Sequence, residues 1–275
     1  MDSVKRTEAY YDSTDADLFY RTVWGGEDIH VGLYRRAEDT VRTASQATVE
    51  YMIRLLPELT RHSTVLDLGA GYGGAARHIV RQVGCSVTCL NVSAVENAYN
   101  RQRNAEEQLT EAIRVVHGNF EELPFGKNTF EVVWSEEAFL HSPHKEQILA
   151  EAWKVLKPGG VLLFTDPMQA PDCPPSVLQP ILRRLDLDGL STLAYYRQAA
   201  HKVGFGTTTF FELSQHLTRH YSAILNILRS QEVDLRQKGC SSTYLRNMAE
   251  GLQHWIEGGE KGWLRWGVFR MVKPG

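Results

Sequence analysis

The sequence predicts an α/β fold, a mostly parallel seven-stranded sheet with helices on both faces, and three observations carry that expectation. Short β-branched and aromatic runs alternate with longer helix-like segments from Val65 to Phe164, the pattern of strands joined by helical crossovers. A glycine loop, Gly69-Ala70-Gly71-Tyr72-Gly73-Gly74, leaves the strand-like Val65-Leu66-Asp67-Leu68 directly. Beyond Asp166 the rhythm changes, and two more strand-like stretches bracket a long helical insertion. With 43% hydrophobic and 23% charged residues, the 275-residue chain can bury a full core as one domain.

Each element has its own local cause. Val41, Ala44, Tyr51 and Leu55 recur at helical spacing ahead of the first strand. Ala75–Val83 reads as a helix, Ser86–Leu90 as a second strand, Ala94–Leu109 as a polar helix, and Ile113–His117 as a third strand. Phe130–Trp134 is rich in strand formers. Pro143–Leu156 places Ile148, Leu149, Ala152, Val155 and Leu156 on one helical face; Lys157-Pro158-Gly159-Gly160 stops it, and Val161–Phe164 forms a fifth strand. The proline-rich stretch Asp172–Pro180 reads as loop. Ser191–Val203 and Leu217–Leu235 read as helices, while Gly206–Leu213 and Trp263–Val272 can close the sheet as an antiparallel edge. Residues 1–38 are expected to form an N-terminal helical cap over the site, 39–170 the ligand-binding core, and 171–275 a helical lid with the closing strands.

In such folds ligands bind at the carboxyl ends of strands. Glycines at the first strand tip let the backbone turn tightly and offer peptide hydrogens to a ligand. Gly69, Gly71 and Gly74 also satisfy a dinucleotide fingerprint, so glycines alone decide little. Asp67 decides more: its carboxylate opposes a pyrophosphate and suits a ligand bearing an ammonium, such as the methionine end of S-adenosylmethionine. The plain alternative is a turn acid capping the next helix. At the second strand's end, where an acid commonly meets ribose hydroxyls, stand Asn91 and Val92, with Glu96 one turn on as the charged acceptor. Past the third strand, Asn119 is placed to meet the adenine amino group and the Phe120 amide a ring nitrogen. The missing acid at position 91 weakens the dinucleotide reading.

A net charge of −3 argues against nucleic acid as the main partner. The polar start, Met1–Tyr10, does not resemble a signal peptide, and apolar runs are too short to span a bilayer. Cys85, Cys89, Cys173 and Cys240 form no CxxC pair, so free thiols in a reducing cytoplasm are expected. Neither His216/His220 nor His141/His144 carries a third ligand or a HExxH pattern, so no metal is expected. A homodimer is left open.

At these residues the chain resembles the class I S-adenosylmethionine-dependent methyltransferases, which are Rossmann-like. Within them it is similar to the sarcosine/dimethylglycine N-methyltransferases of glycine betaine biosynthesis. The resemblance runs through Tyr10-Tyr11-Asp12-Ser13, Trp24–Tyr34, the glycine loop, Trp134–Ser142, Phe164–Gln169, Tyr195-Tyr196-Arg197-Gln198, His220-Tyr221 and the tryptophan-rich tail from His254 to Gly267. It implies S-adenosylmethionine as cofactor, S-adenosylhomocysteine as its product, and a small amine or amino acid as substrate. Likeness to phosphobase methyltransferases implies that His141 partners an N-terminal tyrosine, for which Tyr11 and Tyr20 are the candidates. Related N-terminal segments imply that His30 reaches the cofactor carboxylate.

Methyl transfer to nitrogen needs alignment, exclusion of water and an unprotonated acceptor. His141 suits a proton acceptor, although a buried helix histidine is an equal alternative. Trp24, Tyr11 and Tyr20 can form an aromatic wall that favours a forming ammonium. Ser135 and Glu137 line the fourth strand's end. Asp166, Pro167 and Met168 are expected to shape the acceptor pocket, with Tyr195 nearby. Arg197 is the first choice for a substrate carboxylate, and His220 and Tyr221 are the lid alternatives. Another small amine such as a phosphobase, a non-catalytic S-adenosylmethionine-binding protein, and a dehydrogenase are the competing readings.

Overall fold

Two short helices open the chain, α1 (Ser3–Tyr11) and α2 (Thr14–Val23), followed by α3 (Val41–Arg54). Side-chain caps start them where the sequence has hydroxyls: Ser13 Oγ accepts the Ala16 N–H at 3.2 Å, and Thr40 Oγ1 that of Thr43 at 3.2 Å. The computed structural model describes residues 3–185, 187 and 189–275. From the first strand it runs β1 (Thr64–Leu68), α4 (Gly74–Val83), β2 (Ser86–Asn91), α5 (Ala94–Glu106), β3 (Ile113–His117) and β4 (Phe130–Glu136). A 3-10 turn (Phe139–His141) leads to α6 (Lys145–Val155), β5 (Leu156–Thr165) and β6 (Met168–Gln169). Then come α7 (Pro175–Leu185), α8 (Leu193–Val203), β7 (Thr207–Glu212), α9 (Gln215–Gln237), α10 (Ser242–Glu260), β8 (Leu264–Arg265) and β9 (Gly267–Val272).

The expected seven-stranded sheet forms in the order β3-β2-β1-β4-β5-β9-β7. Its first five strands are parallel, and β9 pairs antiparallel with both β5 and β7. Alternation along the strands builds two cores. Val65, Val87, Cys89, Val132 and Trp134 face one layer, while Leu66, Leu68, Leu90, Val133 and Phe164 face the other. The order of strand addition reverses between β1 and β4, so their carboxyl ends flank the topological switch point.

Four elements differ from the sequence expectation. α5 stops at Glu106, not Leu109, because Gln108 takes φ 57° and the Leu109 N–H turns back to the Asn104 carbonyl at 2.8 Å. Lys157–Gly160 does not separate helix from strand: it bulges within β5, whose register jumps from Phe130 opposite Leu156 to Val132 opposite Val161. Asp172–Pro180 is not all loop, since α7 begins at Pro175 and contains Pro180. Proline is tolerated in a first turn, and burial of Leu178, Ile181 and Leu182 outweighs the donor lost at Pro180. The closing stretch also divides at Trp266, because β8 pairs with β6 and β9 with the main sheet. Among the described residues no helix is long and apolar enough to cross a membrane.

A buried arginine ties the glycine loop to its surroundings. Arg77, fully buried on α4, donates to Asn100 Oδ1 (3.1 Å), Asn104 Oδ1 (3.0 Å), Glu27 Oε2 (2.7 Å) and the Tyr72 carbonyl (2.7 Å). Replacing it with methionine keeps bulk but orphans those acceptors. Urea unfolding of Arg77→Met is expected to show a loss of about 3 kcal/mol.

Candidate active site

Adjoining cavities open where the tips of β1 and β4 meet α1 and the segment after α2. The first is lined by Thr7, Tyr11, Ile29, Gly69, Gly71, Asn91, Val92, Glu96, Phe120, Ala138 and His141. A deep arm of it reaches Asp28, His30, Asp67, Ala70 and Glu136. The second cavity shares Tyr11, Ile29, Glu137 and His141 with the first and adds Tyr20, Trp24, Leu140, Pro167, Tyr221 and Trp255.

The loop geometry explains the glycine at position 69. Its φ is +73°, and a Cβ there would lie 2.3 Å from the Ala138 Cβ, so β1 and β4 approach closely only with glycine. One expectation needs correcting. The Gly69 and Ala70 N–H groups both point to the Leu90 carbonyl, at 2.8 and 3.3 Å, because closing the loop onto β2 requires a backbone acceptor.

Acids crowd the deep arm. Burial pushes the Asp67 carboxyl well above its ordinary range, and the nearby Glu136 adds to this while His30 opposes it. Glu136 is likewise raised by burial to about 7, against the pull of His30 and the Trp134 indole N–H at 3.0 Å. His30 Nε2 lies 3.4 Å from Glu136 and 4.0 Å from Asp28. Burial disfavours its charge, but those carboxylates outweigh burial and raise its pKa. On the other side of the loop, Asn91 donates to Glu96 at 2.7 Å, yet burial still holds Glu96 at about 7. Asp28 Oδ1, Asp67 Oδ2, Glu96 Oε1 and Glu136 Oε1 are buried with no hydrogen-bond donor among the described residues. Such oxygens are rare in folded interiors and fit a ligand that brings a cation and hydroxyl donors.

Where the cavities meet, Tyr11 OH lies 3.0 Å from His141 Nε2. Tyr20 OH contacts Tyr10 OH at 3.0 Å. Glu137 accepts the Val31 N–H (2.8 Å) and the Trp266 indole N–H (2.5 Å), tying the N-terminal segment and β9 to the β4 tip. Its backbone sits at φ 47°, a conformation costing a non-glycine residue roughly 1–3 kcal/mol. Asp166 accepts the Leu140 N–H (2.9 Å) and the Tyr196 hydroxyl (2.7 Å). It thereby pins the turn that carries His141.

Residues 66–164 match the methyltransferase domain family. The sarcosine/dimethylglycine N-methyltransferase of Halorhodospira halochloris is 46% identical over 271 residues, covering 98% of this chain and 97% of that protein. The chain belongs to the sarcosine/dimethylglycine N-methyltransferase family. The enzyme of the same name from Aphanothece halophytica is 43% identical over 270 residues, covering 98% and 97% of the two chains. A crystal structure from Galdieria sulphuraria assigned as a sarcosine dimethylglycine methyltransferase superposes with a TM-score of 0.87 at 42% identity, covering 94% of this chain and 98% of that one.

Within this methyltransferase the structure gathers Tyr11, Tyr20, Trp24, His30, Asp67, Gly69, Ala70, Gly71, Asn91, Val92, Glu96, Phe120, Glu137, His141, Pro167 and Tyr221 around the joined cavities. The other expected residues stand elsewhere. Ser135 is buried and donates to the Leu68 carbonyl at 2.7 Å, clamping β4 to β1. Asn119 Oδ1 accepts the Glu121 N–H at 2.9 Å, as a turn residue does. Met168 is buried in β6, behind Pro167. Tyr195 is 40% exposed and borders a separate shallow depression beside Thr192. Arg197 is exposed on α8, because the face of that helix turned inward carries Tyr196, Ala199 and Ala200. His216 and His220 use Nδ1 to accept the N–H groups of Tyr34 (3.2 Å) and Gly32 (3.1 Å), anchoring the segment after α2.

Sequence reasoning missed Asp28, Glu136 and Trp255. The first two had a usable signal. Asp28 lies in the Trp24–Tyr34 run, and Glu136 shares a strand face with Trp134, which stands beside Asp67 in register. Trp255 reaches the cavity through the packing of α10 on α9, which nothing local announces.

Proposed function

We propose that this protein transfers methyl groups from S-adenosylmethionine to the nitrogen of sarcosine and dimethylglycine, yielding glycine betaine. The observation that carries this reading is the set of acid oxygens without a hydrogen-bond donor at the β1 and β4 tips, in a cavity that shares Ile29 and His30 with the aromatic one. Near-full-length identity to enzymes of that name supports it. The second cavity is aromatic and apolar, with Glu137 and His30 but no lysine or arginine on its wall, a surface that suits a small amine better than a phosphate dianion.

Asp67, Glu136 and Asp28 would hold the ammonium and sulfonium end of the cofactor, and His30 its carboxylate. The Asn91–Glu96 pair would take the ribose hydroxyls and Val92 and Phe120 the adenine. When bound, that cofactor supplies a methyl group already activated on sulfur. The chain then has three tasks. Residues 1–38 act as a cap that closes the site from water, and residues 171–275 as a lid over the acceptor. The Tyr11–His141 pair takes the acceptor's proton; if the amine's pKa is Lys-like, neutralising it near pH 7 costs about 4–5 kcal/mol. The faces of Tyr11 and Tyr20 favour the charge that develops on nitrogen by ~0.5–2 kcal/mol.

Incubation with S-adenosylmethionine and glycine, sarcosine or dimethylglycine separately, followed by mass spectrometry, tests the reading. Methylated products from the last two are expected, and their absence with active cofactor binding would overturn it.

Proton linkage gives an independent check. In the ligand-free protein Glu96 and Glu136 titrate at about 7 because burial raises them. A bound cation and hydroxyl donors favour their ionised forms, so the complex holds fewer protons. Affinity should therefore rise as pH climbs toward that value and level off above it. Calorimetry just below it, in buffers of different ionisation enthalpy, should register proton release on binding.

A further inference from the structure

We infer that the carboxylate of the amino-acid substrate is held by the indole N–H groups of Trp24 and Trp255, not by a guanidinium. The inference rests on the N-methyltransferase reading above. Both rings line the acceptor cavity. Trp24 is 5% and Trp255 1% exposed, and Nε1 of each is buried with no hydrogen-bond partner among the described residues. The contrast with other tryptophans is informative. Trp134, Trp153 and Trp266 give their indole N–H groups to Glu136, the Gly204 carbonyl and Glu137. Buried donors are almost always satisfied. Two unmatched ones on side chains that line one cavity point to an acceptor that arrives with the ligand.

Charge orients that acceptor. Glu137 lines the part of the cavity shared with the cofactor side, together with His141. The Glu137 carboxylate repels a substrate carboxylate and draws the amine, while His30 on the same cavity is engaged by Glu136 and Asp28. The tryptophan end holds the opposite terminus. Tyr221 stacks on Trp255 at 5.0 Å and meets Trp24 edge-on at 6.0 Å, fixing both indoles. Donors without formal charge recognise a monoanion without building a phosphate site, which matches a preference for amino acids over phosphobases. They also leave Arg197 in solvent, where the structure places it.

Trp24→Phe and Trp255→Phe keep an aromatic ring and remove the donor together with the fused ring, a loss of bulk felt by amines with and without a carboxylate. Each is expected to raise the KM for dimethylglycine about tenfold or more, the effect of losing a hydrogen bond to a charged group, with the dissociation constant for S-adenosylhomocysteine unchanged. The preference for dimethylglycine over its carboxylate-free counterpart, N,N-dimethylethylamine, should fall by the same factor. In protein carrying isotope-labelled tryptophan, the Nε1–H resonances of Trp24 and Trp255 should shift with dimethylglycine and not with that amine. Equal handicaps for both amines, or a wild-type KM in both variants, would overturn the inference while leaving the methyltransferase reading intact. Wild-type protein that neither binds nor methylates dimethylglycine would overturn both.

Discussion

Asp67→Asn should lower affinity for S-adenosylmethionine at least about a hundredfold, and Asp67→Ala should abolish binding altogether, as measured by calorimetry on folded protein. Asparagine has the shape of a protonated aspartic acid, the form that burial and Glu136 favour in the ligand-free site. The substitution therefore disturbs the empty protein little and removes the charge a cationic ligand would call up. The sign of the stability effect follows. A carboxyl raised by folding is easiest to bury below its unfolded value, and that advantage is lost as pH rises through the folded value. Ligand-free Asp67→Asn protein should thus melt no lower than wild type at alkaline pH, where the native acid is under most pressure to ionise. Unchanged affinity would remove Asp67 from the cofactor site.

His141→Ala should reduce kcat by ~10²–10⁴-fold, the usual scale for a positioned proton acceptor, with cofactor affinity largely kept. His141 borders both cavities and touches Tyr11 at 3.0 Å, so it can receive a proton from the acceptor side without contacting the acids of the deep arm. Tyr11→Phe should cost less, since the ring remains and the imidazole can still accept. Stopped turnover assays with saturating dimethylglycine separate these outcomes from binding defects. If kcat for His141→Ala equals that of wild type, the pair has no proton role.

Local signals made most of the scaffold readable. The first strand announced itself through its run into the glycine loop, whereas the structure shows that the hydroxyls of Ser13, Thr40 and Ser93 cap the next helix. Asp67, Asn91, Glu96 and the loop glycines were legible because strand ends map onto a common ligand face in parallel sheets. Failures came where partners are far apart along the chain. Tyr195 and Arg197 drew attention as a polar, aromatic run, but helical rotation turns Tyr196 inward and leaves them outside. Asp166 read as a pocket wall and instead pins the turn before His141 through Leu140 and Tyr196.

The one-dimensional pattern by itself determined the layer architecture and the acid at the first strand's tip, because periodicity and turn chemistry act within a few residues. Only tertiary structure decided which side chains face one another there. α1 docks Tyr11 on His141, the segment after α2 brings Asp28 and His30 against Glu136, and α10 delivers Trp255. Those meetings depend on packing between elements distant in sequence, where the shape and burial of a whole face, not any single residue's preference, select the partner.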